Sequence, residues 1–294
     1  MNKVGFIGVG IMGKSMVRNL MKAGFELHIY ARTKSKVEDV ISEGAQFHES
    51  IKDCVQDCDA VITIVGFPQD VEEVYFDEGN ILDSAKEGAY LIDMTTTSPQ
   101  IAEKIYAEGT KRGFNVMDAP VTGGDTGAKA GTLSILVGGE KEDYEACMPL
   151  FEAMGTNINY QGKAGCGQHC KLANQIMIAG TLSGVCEALT YAKEQGLDPE
   201  VFMKSVATGA AGSKQLDTFG PKILKDDYAP GFFMKHFIKD MKLALIEANR
   251  KGLSLDVLSM VLANYEELEQ EGYGDLGTQA LMKFYDEEHR NMEE

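Results

Sequence analysis

The chain has 294 residues, 44% of them apolar and 25% charged, the balance of an ordinary folded protein with room for more than one domain. Its formal net charge of −17 excludes a broad surface for nucleic acid or anionic membrane, because both need a positive field. The cysteine pairs Cys54/Cys58 and Cys166/Cys170 have C-x-x-x-C spacing, which is neither a redox nor a zinc-ribbon pattern, and Cys166, His169 and Cys170 have no matching second pair; reduced thiols and no metal are expected.

Val4-Gly5-Phe6-Ile7 reads as a buried strand beginning straight after Met1-Asn2-Lys3, with no targeting segment in front. No apolar run approaches the ~20 residues of a membrane span, so a cytoplasmic protein with no membrane partner is expected. Gly8-Val9-Gly10-Ile11-Met12-Gly13 follows the strand and opens an amphipathic helix that stops at Gly24. This is G-x-G-x-x-G in the setting that gives it meaning. Gly8 permits the turn, Gly10 leaves room for a pyrophosphate, and Gly13 lets helix and strand pack closely. The exposed amides of Ile11, Met12 and Gly13 at the helix start favour an anion.

A second strand spans 26–30. Where an NAD site usually has Asp or Glu on the ribose hydroxyls, Ala31-Arg32-Thr33-Lys34 stands, and no acid appears before Glu38. Arg32, with Thr33 beside it, can form a forked pair with a 2′-phosphate, which favours NADP(H), with NAD(H) as the alternative; the competing reading is a solvent-facing Arg32 stacked on adenine. Further strands are expected at 59–65, ending at Val65-Gly66, and at 90–94, ending in Thr95-Thr96-Thr97-Ser98-Pro99, with Thr96 a candidate cofactor contact. Three more are expected at 114–121, 133–137 and 157–161, with one helix over 142–154. Between them, Asp118 to Leu133 carries so many glycines that it reads as a loop whose amides, with the Thr122 hydroxyl, line a concave anion nest.

Gly165-Cys166-Gly167-Gln168-His169-Cys170-Lys171-Leu172-Ala173-Asn174-Gln175 opens a long helix over 168–195. Leu172, Ile176, Ala179, Ser183, Cys186, Ala188 and Ala192 form its small and apolar stripe, and Gly196 is placed for a left-handed cap. Lys171 and Asn174 are three positions apart and share a face, so the lysine is a candidate proton donor beside an amide; the bland alternative is a solvated amine. After Gly196 strand signals stop, and helices are expected at 199–206, 214–225, 235–250, 256–271 and 278–289. The tail from Asp286 is acidic and is expected to fray.

With these residues laid out, the chain resembles the β-hydroxyacid dehydrogenase family over nearly its whole length. Phe6 to Gly13 with Asn19 is similar to the family's cofactor signature, Asp118-Ala119-Pro120-Val121-Thr122-Gly123-Gly124 to its substrate loop, Gly165-x-Gly167-x-x-x-Lys171-x-x-Asn174 to its catalytic motif, and Phe237-Ile238-Lys239-Asp240 to its C-terminal lysine motif. The resemblance implies Lys171 as catalytic acid/base and Asn174 as a polar partner for substrate. It implies Thr122, Gly123 and Gly124 on the substrate carboxylate, with Gln175 at the neighbouring substrate position. It also implies Val65, Gly66 and Thr96 on the nicotinamide side and Lys239 against the cofactor. Three departures bear on substrate choice: Thr122 stands where serine is usual, Gln175 where a second asparagine is frequent, and Gly277 where an acid is often found.

The expected architecture is an α/β Rossmann-type domain over 1–163 followed by an all-α domain over 164–294, joined by a long interdomain helix within 164–196. The expected function is reversible hydride transfer between NADP(H) and a small β- or γ-hydroxy acid or semialdehyde, in a homodimer or homotetramer. The alternatives are a catalytically silent dinucleotide-binding sensor or scaffold, and an imine reductase, for which a lysine at position 171 is not expected.

Overall fold

A computed structural model describes residues 1–285. The acidic tail, and the end of the last expected helix, lie outside the described residues. The chain divides into two compact units, Met1–Lys171 and Leu172–Glu294.

The first unit is a sheet of nine strands among the described residues: β1 (Lys3–Ile7), β2 (Glu26–Tyr30), β3 (Gln46–Phe47), β4 (Ala60–Thr63), β5 (Tyr90–Asp93), β6 (Asn115–Asp118), β7 (Val121–Thr122), β8 (Leu133–Gly138) and β9 (Gly155–Gly162). The order is β3-β2-β1-β4-β5-β6-β8-β7, with β9 also paired to β8. Strands β1 to β6 are parallel; β8 runs antiparallel to β6 and β7 and parallel to β9. The pleat explains why the strands read as continuous apolar runs. Phe6, Ile62 and Ile92 join one core with Leu20, Ile29 and Phe151. Their neighbours Ile7, Val61 and Leu91 join a second core with Val71 and Tyr75. Successive side chains point to opposite faces, and each face has its own helical cover. Because β1 has β2 on one side and β4 on the other, the order reverses at β1, where open α/β sheets leave a crevice beyond the strand ends.

Three local expectations differ. The strand expected over 114–121 is interrupted at Ala119-Pro120, since proline has no N–H for the ladder, and resumes as β7. The helix expected over 142–154 is two helices, Lys141–Ala146 and Met148–Met154, with Pro149 in the first turn of the second, where its missing N–H costs little. The glycine-rich stretch is not a loop: Gly124–Ala130 is helical and closes on Gly131 in the left-handed conformation.

The unit division falls inside the helix Cys166–Glu194. By length and composition this helix is apolar enough to cross a membrane, which reading the sequence run by run did not register. Its buried residues Leu172, Ala179, Leu182, Cys186 and Leu189 instead join the core of the second unit, with Phe237, Met241, Val261 and Tyr265. Leu182 and Leu189 were missing from the expected stripe. The helix ends as expected: Gly196 has φ 72°, and the Leu197 N–H donates to the Ala192 carbonyl in a Schellman closure. Helices Pro199–Val206, Lys214–Ile223, Met234–Arg250 and Asp256–Gln270 follow, while Thr278–Tyr285 is a 3₁₀ rather than an α-helix.

Candidate active site

At the carboxyl end of β1 the chain turns at Gly8 (φ 96°) and enters the helix Ile11–Lys22. A Cβ on Gly8 would lie 2.1 Å from the Ile64 carbonyl oxygen, and one on Gly13 would lie 2.1 Å from the Gly8 carbonyl oxygen. Both glycines are therefore required by the protein itself. Gly10 is different: a Cβ there meets nothing within 4 Å. Gly10 is the N-cap in an extended conformation, with no side chain closing the helix start, and Ile11 is 51% exposed. A small residue where the fold does not ask for one, next to uncapped amides, is a cradle suited to a dinucleotide pyrophosphate.

Arg32 and Thr33 lie just past the carboxyl end of β2, both exposed. The Arg32 guanidinium, 74% exposed, donates to Asp70 Oδ1 at 3.3 Å, while Asp70 Oδ2 accepts from the Phe67 N–H at 2.9 Å.

Val65 and Gly66, past the end of β4, are half-buried. The Val65 N–H donates to Thr95 Oγ1 at 2.9 Å. Thr95 is in turn held by Asp93 at the end of β5, whose Oδ1 accepts from the Thr95 N–H (3.1 Å) and from Thr63 Oγ1 (2.8 Å). Burial pushes the Asp93 carboxyl up to about 6. Thr95 and Thr97 are buried and committed to the framework, whereas Thr96 between them is half-buried. The sequence singled out Thr96 and passed over Asp93, which is the residue that shapes the turn.

Thr122, Gly123 and Gly124 lie at the end of β7 and the start of the helix Gly124–Ala130. Gly123 (φ 130°) and Gly124 (φ 63°) both take positive φ values, a conformation that favours glycine at these two positions. Asn19, on the helix after the first glycine turn, donates through Nδ2 to the Ala128 carbonyl at 2.7 Å. That bond ties the Gly8–Gly13 helix to this second glycine segment.

The start of the long helix is fastened to the same sheet. Asp118, at the end of β6, accepts the Gly165 N–H on Oδ1 (2.7 Å) and the Gln168 N–H on Oδ2 (2.8 Å). Burial raises its carboxyl from the usual range, against the pull of these amides. The contact is close: a Cβ on Gly167 would lie 2.4 Å from the Leu136 carbonyl oxygen, and one on Gly138 would lie 2.8 Å from the Gly167 nitrogen. The glycines of Gly165-x-Gly167 thus serve helix docking. One turn on, Lys171 is only 7% exposed. The solvated-amine reading does not hold for it.

In the second unit, Asn174, Gln175 and Lys239 belong to one polar chain. Asn174 Nδ2 donates to Gln175 Oε1 (2.7 Å), Gln175 Nε2 donates to Asp240 Oδ2 (2.6 Å), and Asp240 Oδ1 pairs with Lys239 Nζ at 2.8 Å. Gln175 is 2% exposed with both ends of its amide engaged, and Asp240 is fully buried. The sequence motif included Asp240 without giving it a task.

A glycine-cradled helix start at the sheet's switch point, and a buried lysine on a helix fastened to the same sheet, are features of a nicotinamide-dinucleotide-dependent oxidoreductase. Residues 3–162 match the model for the NAD-binding domain of 6-phosphogluconate dehydrogenase, and residues 165–285 match that for the NAD-binding region of NADP-dependent 3-hydroxyisobutyrate dehydrogenase. The chain is 49% identical to the uncharacterized oxidoreductase YkwC of Bacillus subtilis, over 96% of this chain and 98% of the other. It is 37% identical to the 2-hydroxy-3-oxopropionate reductase of Escherichia coli over 86% of each. The solved 3-hydroxyisobutyrate dehydrogenase of Mycobacterium tuberculosis, described with L-serine, superposes with a TM-score of 0.88 at 26% identity, covering 96% of this chain and 98% of that one. The chain belongs to the β-hydroxyacid dehydrogenase family, as an NAD(P)-dependent enzyme.

The two glycines separate stability from binding. Gly13→Ala is expected to lower the unfolding free energy by about 1–3 kcal/mol through overpacking. Gly10→Ala is expected to leave urea unfolding unchanged while weakening dinucleotide binding at least tenfold in a fluorescence titration.

Proposed function

We propose that the enzyme interconverts a small β- or γ-hydroxy acid and the matching semialdehyde, with NADP(H) preferred over NAD(H). The burial of Lys171 on a helix start anchored to the sheet carries this reading, because lysines are rarely buried without a task. The nicotinamide, when bound, supplies or accepts the hydride. Lys171, as ammonium, gives its proton to the carbonyl oxygen while that carbon gains hydride, yielding the alcohol; in reverse, the neutral amine takes the hydroxyl proton. The amides of Gly123 and Gly124, with the Thr122 hydroxyl, hold the substrate carboxylate, and Asn174 orients the reacting oxygen. Fixing both ends of a short substrate removes the freedom that would otherwise scatter the reacting carbon. Gln175 acts near the substrate by setting the rotamer of Asn174, and Lys239, held by Asp240, serves the cofactor.

For the cofactor, the residues proposed as contacts are Gly8 to Gly13 at the pyrophosphate, Arg32 and Thr33 at the 2′-phosphate, and Val65, Gly66 and Thr96 at the nicotinamide. Arg32 is paired at the surface with a single carboxylate oxygen, a contact weak enough in water to be exchanged for a forked bond to phosphate. Residues 1–163 would form the cofactor domain and 164–294 the helical one. We place the protein in the cytoplasm, as a homodimer or homotetramer: Met177, Val257 and Met260 are exposed apolar side chains of the helical unit that self-association would cover.

Lys171→Ala is expected to lower kcat by about 10² to 10⁴, the usual contribution of general acid catalysis, with the dissociation constant for NADPH unchanged. Turnover near wild type would remove the role given to Lys171. Arg32→Asp is expected to raise the Kd for NADPH at least tenfold and to invert the NADPH/NADH ratio of kcat/KM; an unchanged ratio would remove the phosphate role. The four acids to screen are succinic, tartronate and methylmalonate semialdehydes and glyoxylate.

A further inference from the structure

Gln168 is fully buried and polar, and the mechanism above does not use it. Its side chain makes two hydrogen bonds to one short segment. Nε2 donates to the Thr95 carbonyl at 2.7 Å, and Oε1 accepts from the Thr97 N–H at 3.0 Å. The two bonded groups flank Thr96. The amide therefore replaces a strand partner for the chain just beyond β5, closing a two-point clamp around the residue assigned to the nicotinamide side. The backbone N–H of Gln168 is bonded to Asp118, so the clamp is itself anchored to β6. Lys171 lies three positions further along the same helix, on the same face as Gln168.

We infer that Gln168 is a positioning residue: its amide fixes the helical turn carrying Lys171 to the Thr95–Thr97 segment, so that the proton donor and the nicotinamide-side contact share one rigid frame. This rests on the role proposed for Lys171. An amide is suited to the task because it offers one donor and one acceptor side by side. An apolar residue of the same size leaves the buried Thr95 carbonyl and Thr97 N–H unpaired, at a cost that relaxation of the segment relieves. A carboxylate accepts from Thr97 but sets a second oxygen against the Thr95 carbonyl. A protonated carboxyl reproduces the amide, with its O–H donating to Thr95 and its carbonyl accepting from Thr97.

The test uses full-length Gln168→Glu, Gln168→Met and Lys171→Ala, assayed well below the melting temperature of each. Gln168→Met is expected to lower kcat about tenfold to a hundredfold, because misplacement of a reacting group by ~1 Å costs of that order, with NADPH affinity by fluorescence titration within about threefold of wild type. Gln168→Glu is expected to be similarly impaired at pH 8 and to recover toward wild type, as a ratio of kcat values, when the pH is lowered to 6; Gln168→Met is expected to show no such recovery. A purely structural Gln168 would lower the melting temperature of both variants and leave kcat intact in folded protein, and that result would overturn the inference. So would an equal, pH-independent loss in both. If Lys171→Ala retains turnover, the proton-donor reading fails; if Lys171→Ala is inactive while both Gln168 variants keep wild-type kcat, only the clamp fails.

Discussion

The structure depends on one carboxylate, Asp118, whose two oxygens receive the Gly165 and Gln168 amides. A buried carboxylate is costly, and two backbone N–H bonds are the compensation it receives at the end of β6, an interior strand of the sheet. The bonds do for the long helix what an N-cap side chain does for an ordinary one, but from a strand more than forty residues earlier in the chain. They explain why Gly138 and Gly167 must be glycine, since the helix start comes closer to β6 and β8 than a Cβ permits. They also determine where the turn bearing Lys171 begins.

From that anchor the polar framework of the first unit runs through the strand ends. Asp93 orders Thr95, Thr95 orders Val65, and Gln168 holds the segment on both sides of Thr96. Asp93, Thr95, Thr97 and Gln168 are buried, where hydrogen bonds are stronger than in water and the segment they hold is correspondingly stiff. In the second unit Asn174, Gln175, Asp240 and Lys239 form a comparable chain. The substitution of glutamine for the family's frequent asparagine at position 175 has a use there, because the longer side chain bonds both Asn174 and Asp240.

How much of this the sequence made legible follows the range of the interactions. The first glycine turn was readable because its requirements are local: a turn, a close packing and an uncapped helix start within a few residues. The long helix and its Gly196 ending were readable from periodicity and composition. The stretch from Asp118 to Leu133 reads as a loop in the sequence because glycine density masks the helix Gly124–Ala130, which the bond from Asn19 to Ala128 holds from outside. Gln168 and Asp93 were missed for the same reason: their partners lie on other strand ends, and no spacing within one element announces them. The Gly165-x-Gly167 glycines were recognised as a motif but not understood, because their constraint is the backbone of β6 and β8.

The claim on which the account turns is that a single amine at position 171 moves the proton during hydride transfer. Chemical rescue tests it most directly. Lys171→Ala, saturated with NADPH and the best of the screened aldehydes, would be titrated with small primary amines. The account predicts turnover that rises with amine concentration and follows the fraction of amine present as ammonium. Turnover that ignores added amine, or that already matches wild type without it, would contradict it.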